Sequence, residues 1–373
     1  MLRQILDGSV ACLPVPAGDT HDVAIETERL CAALAPDAPI DDDVSLVIST
    51  SGTTGTPKGA QHTPDTLAAS ARATERHLGG PGNWLLALPP HHIAGLQVLL
   101  RPLRSGFTPA VLDLGNGFDT TAFAHALDTM DGPRRYTSLV PNQLLKVLES
   151  PTATTALAGV DAVLVGGAAT PEPLQRRAIE SGIPIVRTYG MSETAGGCVY
   201  DGIPLDGVTI RIDEPAEGVG RVILGGPMIA RGYRNLPDHP AFTEPGWFRT
   251  DDLGRVDADV LSIVGRADEA ISTGGLTVIP QVVEAAILDD PSVAECAVLG
   301  LPDERLGERV VAVVVPAPDR SIQTTLLTGA VAERLGRHAA PREVIVVDEL
   351  PRRGPGKVDR RALRSRYAPP SER

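Results

Sequence analysis

The sequence contains few cysteines and few aromatic residues, and both shortages limit what the protein can be. Its 373 residues include only four cysteines, and no two of them form a CxxC pair: Cys12, Cys31, Cys198 and Cys296. We therefore expect neither structural disulfides nor a zinc site, and a reducing cytoplasm fits this usage best. Aromatic residues make up 3% of the chain, which argues weakly against a large pocket that stacks on its ligand.

Positive charge and long apolar runs are also scarce. The chain has 34 Lys and Arg against 47 Asp and Glu, which gives a formal net charge of -13. This balance argues against a nucleic-acid partner and against docking on an anionic membrane. No apolar run approaches the roughly 20 residues of a membrane span, and the N-terminus lacks the apolar stretch of a secretory signal. We expect a cytoplasmic protein with no nucleic-acid and no membrane partner.

Strand-like and helix-like patterns alternate from Val44 to about Val264, which predicts βαβ units around a largely parallel sheet. At this length, two domains are expected. The strand-like runs are Val44–Ile48, Trp84–Leu88, Thr137–Val140, Ala162–Val165 and Ile183–Val186. The helical patterns Val23–Leu34 and Pro171–Ser181 accompany them. After Tyr200 the pattern changes, and Gly218–Leu224 and Val256–Val264 are typical of short antiparallel strands with Gly and Asp turns.

A second, smaller unit follows a candidate boundary at Gly265-Arg266-Ala267-Asp268. The pattern beyond it predicts two helices and two strands, namely Pro280–Leu288, Ala294–Leu299, Arg309–Val315 and Thr324–Leu335. These elements indicate a compact α+β unit of about the minimum size to fold alone.

A loop rich in hydroxyls and glycine follows the first predicted strand. It reads Ser49-Thr50-Ser51-Gly52-Thr53-Thr54-Gly55-Thr56-Pro57-Lys58-Gly59. Amides and hydroxyls in such a loop donate hydrogen bonds to phosphate oxygens, and Lys58 adds a positive charge. Its glycines let the backbone approach a ligand closely. A Walker A loop ends in Gly-Lys-Ser/Thr, and this one does not. We therefore predict that the loop binds a triphosphate but that the protein is not a P-loop NTPase.

The stretch Thr188-Tyr189-Gly190-Met191-Ser192-Glu193-Thr194 follows the predicted strand that ends at Val186. It places an aromatic ring, a glycine and a carboxylate at the carboxyl edge of the sheet, where open α/β sheets bind ligands. Considered alone, Glu193 is more often a solvated side chain or the neighbour of a helix N-cap.

Three further stretches carry polar groups, and each also has a simpler interpretation. Trp247–Gly254 offers Asp252, whose carboxylate can accept both ribose hydroxyls, but a hairpin with surface acids explains it equally. Pro351–Arg360 contains Lys357 and is alone typical of a basic, flexible tail. Pro89–Gly95 contains two adjacent histidines, which point in different directions, so we expect no shared metal.

The five stretches, in this order and at this spacing, resemble the adenylate-forming superfamily of acyl-CoA synthetases, nonribosomal-peptide adenylation domains and firefly luciferase. The resemblance covers roughly Val44 to Arg364. The amino-acid sequence from Tyr189 to Gly207 is similar to that of the o-succinylbenzoate–CoA ligases of actinobacteria, enzymes of menaquinone synthesis. It implies an ATP-dependent acid–CoA ligase that uses Mg²⁺ and coenzyme A and acts on a small aryl carboxylate.

The resemblance implies an α/β fold with two domains. Residues 1–266 would form a large N-terminal domain of mainly parallel sheets with flanking helices, a small distorted β-barrel-like part and an abbreviated first subdomain. Residues 267–373 would form a small mobile α+β C-terminal domain, with a hinge at Asp268. A homo-oligomer is one way to bury the surfaces that the short first subdomain leaves uncovered.

The resemblance also implies a role for individual residues. Glu193 would hold magnesium, Lys357 would drive adenylation and His92 would lie beside the acyl carboxylate. The residues expected to contact ATP or coenzyme A are the loop residues Thr50, Ser51, Gly52, Thr53, Thr54, Gly55 and Lys58, the adenine-side residues Gly167, Ala168, Ala169 and Tyr189, the α-phosphate contact Ser192, the ribose contacts Asp252 and Arg266, and the pantetheine-tunnel residues Gly274 and Gly275. Gly190 and Met191 would line the acyl pocket.

Two departures from the family pattern and three alternatives stay open at this point. Asp251 stands where many relatives have Gly, and Val282 stands where a Glu is common. The alternatives are a ligase for another aryl or fatty acid, an adenylation domain that feeds a carrier protein, and a nucleotide-binding relative without catalysis.

Overall fold

The computed structural model describes residues 1–50, 56–216, 218–353 and 357–368. Its α-helices are α1 Leu2–Asp7, α2 His21–Leu34, α3 Pro64–His77, α4 Ile93–Arg104, α5 Thr120–Thr129, α6 Pro141–Leu148, α7 Pro151–Ala158, α8 Glu172–Glu180, α9 Pro280–Leu288, α10 Thr324–Leu335 and α11 Arg360–Tyr367. Its strands are β1 Leu46–Thr50, β2 Lys58–His62, β3 Asn83–Leu86, β4 Ala110–Val111, β5 Arg135–Leu139, β6 Ala162–Val165, β7 Ile185–Met191, β8 Gly196–Tyr200, β9 Ile203–Pro204, β10 Thr209–Ala216, β11 Val219–Gly225, β12 Trp247–Asp257, β13 Val260–Arg266, β14 Ile271–Thr273, β15 Leu276–Val278, β16 Val293–Asp303, β17 Gly307–Pro316, β18 Glu343–Val346, β19 Arg352–Arg353 and β20 Lys357–Val358.

Spatial grouping divides the chain into two compact units. The first contains Met1–Arg211, Ile223–Thr250 and Asp257–Leu261. The second contains Ile212–Val222, Asp251–Val256 and Ser262–Arg373. The predicted boundary between residues 266 and 267 stays a prediction. Within the described ranges, we find no helix that combines the length and the apolar character needed to cross a membrane.

A seven-stranded sheet forms the centre of the first unit, in the order β4-β3-β5-β6-β7-β8-β9. Strands β3 to β7 pair in parallel, and β8 and β9 add antiparallel. All residues of β3 and β6 are buried, as expected for parallel strands covered on both faces. The predicted α/β class is confirmed.

Alternating residues of these strands supply two cores, because successive side chains point to opposite faces. Leu85 and Val163 pack with Phe123 of α5 and Leu144 of α6 on one face. Residues of the opposite face pack with α3 and α4 and include Trp84, Leu86, Tyr136, Leu164, Ala73 and Val98. The helices on both faces fix the ends of the parallel strands, where candidate site residues lie.

A separate four-stranded sheet has the order β10-β11-β12-β13. The predicted single strand Val256–Val264 is wrong, because Ala258 and Asp259 interrupt it. Both residues have positive φ, 48° and 66°, and they turn the chain between β12 and β13. No glycine marks this turn, so the apolar pattern alone suggested one continuous strand. The N-terminal segment likewise holds α1 in addition to the one helix that we predicted there.

The C-terminal part of the second unit is a mixed sheet covered by helices. Strands β15-β14-β17-β16 pair antiparallel, and β18 joins β17 in parallel. One face packs Val283 and Ile287 of α9 and Leu327 of α10 against the sheet, and the other packs Leu363 of α11. Helices α9 and α10 span the predicted residues.

Candidate active site

The phosphate-loop candidate lies on an antiparallel hairpin. Strand β1 pairs with β2 in a register that places Thr50 opposite Lys58 and Ser49 opposite Gly59. The predicted phosphate contacts Ser51, Gly52, Thr53, Thr54 and Gly55 fall outside the described residues. Thr50 and Lys58, which flank them, therefore lie side by side where the two strands meet the loop.

A segment that we did not single out in the sequence runs beside β2. The amide of Gln61 donates to the carbonyl of Gly232 at 3.0 Å, and the amide of Arg234 donates to that of Gly59 at 2.8 Å. The side chain of Asn235 completes the contact, since its Nδ2 donates to Pro57 O at 2.8 Å and its Oδ1 accepts from Gly59 N at 3.2 Å. Both of its hydrogen bonds reach the residues that flank Lys58.

The turn Ser192–Thr194 brings a carboxylate to the same hairpin. Ser192 Oγ donates to Ser49 O at 3.2 Å, and the buried side chain of Glu193 lies one residue further. The hydroxyl of Tyr233 donates to Glu193 Oε1 at 2.5 Å, and Nζ of Lys58 lies 4.6 Å from the centroid of the Tyr233 ring. The structure thus brings together Thr50, Lys58, Ser192 and Glu193, four of the predicted site residues.

His62 holds this turn from the β2 side. Its Nε2 lies 2.7 Å from Ser192 O, and its Nδ1 lies 3.1 Å from Thr66 Oγ1. Because a carbonyl oxygen only accepts hydrogen bonds, Nε2 carries the proton of the neutral ring. Complete burial lowers the pKa of His62 to about 4, although the bond to the Ser192 carbonyl acts in the opposite direction. His62 is therefore uncharged at neutral pH.

Tyr189, Gly190 and Met191 lie inside β7, which continues five residues beyond the predicted strand end at Val186. Gly190 is required by its packing against β8, because a Cβ there would stand 2.1 Å from Gly196 O. On the neighbouring strand end, residues 167–169 follow β6 and are exposed. Tyr189 to Met191 follow the part of β7 that pairs in parallel with β6, and residues 167–169 follow β6, so both stretches lie at the carboxyl edge of the parallel strands, as predicted.

The two histidines lie at the start of α4, with His92 as its N-cap. Their rings are 4.2 Å apart between centroids and tilted by 48°. Burial lowers the pKa of His91, although the charge of Glu26 opposes the shift. Within the described ranges, no group of three or more His, Cys, Asp or Glu side chains could hold a metal ion, so the histidine pair forms no such cluster.

In the second unit, Arg266 connects three carboxylates. It donates to both oxygens of Asp268 at 2.8 and 2.9 Å and to Asp252 Oδ1 at 3.3 Å, and lies 3.5 Å from Asp251 Oδ2. Burial opposes its charge, yet the hydrogen bond with Asp268 and the three negative charges together raise the pKa of Arg266. Asp251 also pairs with Arg221 at 3.0 Å, so this departure from the family pattern has its own partner.

The remaining predicted residues lie on two short hairpins. Gly274 and Gly275 connect β14 to β15 with φ values of 59° and 80°, the conformation of a two-residue hairpin turn that favours glycine at both positions. Lys357 begins β20, which pairs with β19 so that Lys357 stands opposite Arg353. The pantetheine role of the glycines and the catalytic role of Lys357 stay predictions.

Three residues that the sequence reasoning missed are Tyr233, Asn235 and His62. Tyr233 and Asn235 belong to Ala230–Asn235, which carries no helical or strand periodicity, and only its contacts with β2 and Glu193 reveal it. His62 lies three residues after Gly59, the last residue of the loop, and its position is typical of an ordinary polar residue of a strand.

Comparisons with known proteins identify the family. A family profile described as AMP-binding enzyme matches residues 9–234, and one described as AMP-binding enzyme C-terminal domain matches residues 282–357. A probable 2-succinylbenzoate–CoA ligase of Mycobacterium tuberculosis is 52% identical over 97% of both chains. A 2-succinylbenzoate–CoA ligase of Bacillus cereus is 30% identical over 98% of this chain and 80% of its own.

Solved structures show the same likeness. The o-succinylbenzoate–CoA synthetase of Bacillus subtilis, in complex with its acyl-adenylate intermediate, has a TM-score of 0.73 at 29% identity, over 86% of this chain and 68% of its own. ATP-bound MatB from Rhodopseudomonas palustris has a TM-score of 0.78 at 27% identity, over 89% and 69%. Because both profiles match and a relative is 52% identical over 97% of both chains, the chain belongs to the AMP-binding enzyme family.

Proposed function

We propose that the protein is an AMP-forming acid–CoA ligase whose acid is o-succinylbenzoate, and that it serves menaquinone synthesis in the cytoplasm. The observation that carries this proposal is the 52% identity to a probable 2-succinylbenzoate–CoA ligase over 97% of both chains. The polar groups of the hairpin, of the Ser192–Glu193 turn and of the carboxyl edge of the sheet support the proposal.

The triphosphate of ATP is assigned to the hairpin. Thr50 and Lys58 flank the loop Ser51–Gly55, and Thr50 Oγ1 is buried without a hydrogen-bond partner among the described residues. A hydroxyl in that state fits a donor to a phosphate oxygen. Asn235 fixes the backbone beside Lys58, so the ammonium group starts from a defined position.

Glu193 is assigned to magnesium. Mg²⁺ is usually bound by one or two carboxylates together with substrate phosphates and waters, so one buried carboxylate beside a phosphate loop fits this ion without further acidic ligands. When bound, the ion neutralises negative charge on the phosphates. The chain's own contribution is to hold the Glu193 carboxylate through Tyr233 and its carbonyl through the amide of Ala230 at 2.8 Å.

The other contacts follow the family pattern. We assign the ribose to Asp252 and Arg266 and the adenine to Tyr189 with Gly167, Ala168 and Ala169. His92, Gly190 and Met191 are assigned to the acyl group, and Gly274 and Gly275 to the pantetheine arm of coenzyme A.

The reaction has two steps at one acyl site. The substrate carboxylate oxygen attacks the α-phosphorus of ATP, the bond to the β-phosphate oxygen breaks, and pyrophosphate leaves. Ser192 and Lys357 are assigned to the charge that develops on the α-phosphate oxygens. The coenzyme A thiolate then attacks the acyl carbonyl, a thioester forms and AMP departs. Lys357 must withdraw before the thiol enters, and we assign that movement to a hinge at Asp268.

The test incubates purified protein with ATP, Mg²⁺, coenzyme A and o-succinylbenzoate. Separate reactions contain benzoate, other aryl acids or fatty acids in its place. We expect AMP and the o-succinylbenzoyl thioester, with kcat/KM for that acid at least about 10²-fold above the others. If another acid of the panel has a higher kcat/KM, that acid becomes the proposed substrate. If no acid of the panel yields AMP or a thioester, the result would favour the non-catalytic alternative.

A variant separates the two steps. Lys357→Ala should slow adenylate formation at least about 10²-fold and leave thioester formation from preformed adenylate unchanged. An equal loss in both steps, or none in the first, would contradict the role of Lys357.

Size-exclusion chromatography with light scattering tests the proposed homo-oligomer.

A further inference from the structure

We propose that Tyr233 is a positioning residue for the Glu193 carboxylate, and that their hydrogen bond sets how tightly the protein binds the magnesium complex of ATP. The inference rests on the proposed assignment of magnesium to Glu193. It does not depend on which acid the enzyme activates.

The contact is short, buried and directional. The Tyr233 hydroxyl donates to Glu193 Oε1 at 2.5 Å, and the two residues are 2% and 6% exposed. A hydroxyl that donates to a carboxylate in a buried setting makes a stronger bond than one between neutral groups. The bond therefore restrains the position of one carboxylate oxygen.

The phenol ring is itself held on several sides. His239 and Phe242 meet it edge-on, with centroids 4.9 and 5.0 Å away and planes nearly perpendicular at 88° and 85°. The backbone of Tyr233 forms an antiparallel bridge with Ala60 of the phosphate-loop hairpin. Because ring and backbone are both packed, the hydroxyl cannot follow a displaced carboxylate, and Glu193 must align with it.

The same ring connects Glu193 to the phosphate hairpin. Nζ of Lys58 lies 4.6 Å from the ring centroid, within the range of a cation–π contact. Tyr233 thus orients an anionic group with its hydroxyl and contacts a cationic group with its ring face. A magnesium complex of ATP needs both signs of charge at fixed positions, one for the ion and one for the phosphates.

Magnesium is sensitive to such positioning, because it demands nearly ideal octahedral geometry. Loss of a group that orients a metal ligand typically weakens metal binding 10- to 100-fold. Removal of the hydroxyl alone should therefore weaken binding of the magnesium complex and leave binding of metal-free ATP unchanged.

Tyr233→Phe makes that change and keeps the ring, its edge contacts and the contact with Lys58. The experiment measures ATP binding by calorimetry on the full chain, with Mg²⁺ and with EDTA. We expect the Kd with Mg²⁺ to rise about 10- to 100-fold in Tyr233→Phe and the Kd with EDTA to change less than about twofold. In a Glu193→Gln background, the same substitution should add less than about twofold, because both changes act through one carboxylate.

Tyr200→Phe is the matched control. Tyr200 is another buried tyrosine, and its hydroxyl bonds Thr74 Oγ1 at 3.0 Å in the same unit. Its loss should leave the Kd with Mg²⁺ within about twofold of that of the unmodified protein.

The outcomes distinguish this inference from the proposed function. An unmodified protein that binds ATP more tightly with Mg²⁺, together with a Tyr233→Phe variant that binds it equally well, would overturn the positioning role alone. An equal loss with Mg²⁺ and with EDTA would overturn it too, because the ring or the fold would then be responsible. An unmodified protein that binds no magnesium complex of ATP would overturn both.

Discussion

His62 should make the stability of the first unit depend on pH. The imidazole is fully buried, its Nε2 proton is donated to the Ser192 carbonyl, and its pKa is lowered to about 4. In the unfolded chain the ring has a pKa of about 6.5. As the pH falls from about 6.5 to about 4, the unfolded state therefore binds a proton that the folded state excludes, and stability is lost in that window.

The two pKa values fix the size of the effect. Proton linkage gives a loss of about 2 kcal/mol of unfolding free energy between pH 7 and pH 5, and about 3 kcal/mol by pH 4. These amounts are large fractions of the marginal stability of a domain, so a single histidine should be measurable.

Urea denaturation at pH 7, 6, 5 and 4 measures the effect. Both tryptophans, Trp84 and Trp247, lie in the first unit, so their fluorescence follows the unit that holds His62. His62→Gln keeps an amide donor for the Ser192 carbonyl and does not titrate, so it should remove about 2 kcal/mol of the loss between pH 7 and pH 5. His21→Gln is the control, because His21 lies exposed at the start of a helix. This variant should show the same dependence of unfolding free energy on pH as the unmodified protein. If His62→Gln loses the same unfolding free energy between pH 7 and pH 5 as the unmodified protein, to within about 0.5 kcal/mol, the reasoning is refuted.

Three further predictions concern the hairpin, the ribose contacts and two glycines. Asn235→Ala removes both bonds beside Lys58 and should raise the KM for ATP about tenfold in steady-state kinetics, and an unchanged KM would contradict the clamp. Arg266→Lys cannot keep the two-pronged contact with Asp268, so calorimetry should show about tenfold weaker ATP binding, and equal affinity would count against the ribose assignment. Gly190→Ala should lower the unfolding free energy by about 2 kcal/mol, because its Cβ would meet Gly196 O at 2.1 Å. Gly329→Ala, in open space within α10, should raise it by about 1 kcal/mol, and equal signs for the two would contradict the packing argument.

The sequence predicted the elements whose periodicity reflects burial. Ala162–Val165 and Pro280–Leu288 have the bounds that the pattern indicated, because an apolar run buried on both faces and a proline at a helix start are local signals. Strand β7 extends beyond its predicted end, because Tyr189 to Met191 pair with β8 across a turn whose only sequence signals are polar. The turn at Ala258 and Asp259 was not predicted because no glycine marks it.

The candidate site was predictable to the extent that its residues follow strands. Glu193 and Lys58 belong to stretches with distinctive composition, and they lie near the same tyrosine ring. Tyr233 and Asn235 were not predictable, because their roles arise from a long-range pairing of Ala230–Asn235 with β2. A tyrosine between glycine and arginine carries no local signal of a carboxylate that is forty residues away in the chain.

The charge network of the second unit explains how Lys357 could turn with the residues that follow a hinge at Asp268. Two residues after Lys357, Asp359 caps α11, and the next residue, Arg360, pairs with Glu284 and lies 3.6 Å from Glu269. Burial raises the pKa of Glu284, although the charge of Arg360 opposes this shift, so loss of the arginine would leave a buried carboxylate without its counter-ion. If the chain turns at Asp268, as we propose, Glu269 is the first residue of the moving part, and its approach to Arg360 joins it to α11, which begins two residues after β20. A rotation at the proposed hinge would then carry α11 and the nearby Lys357 together with Glu269.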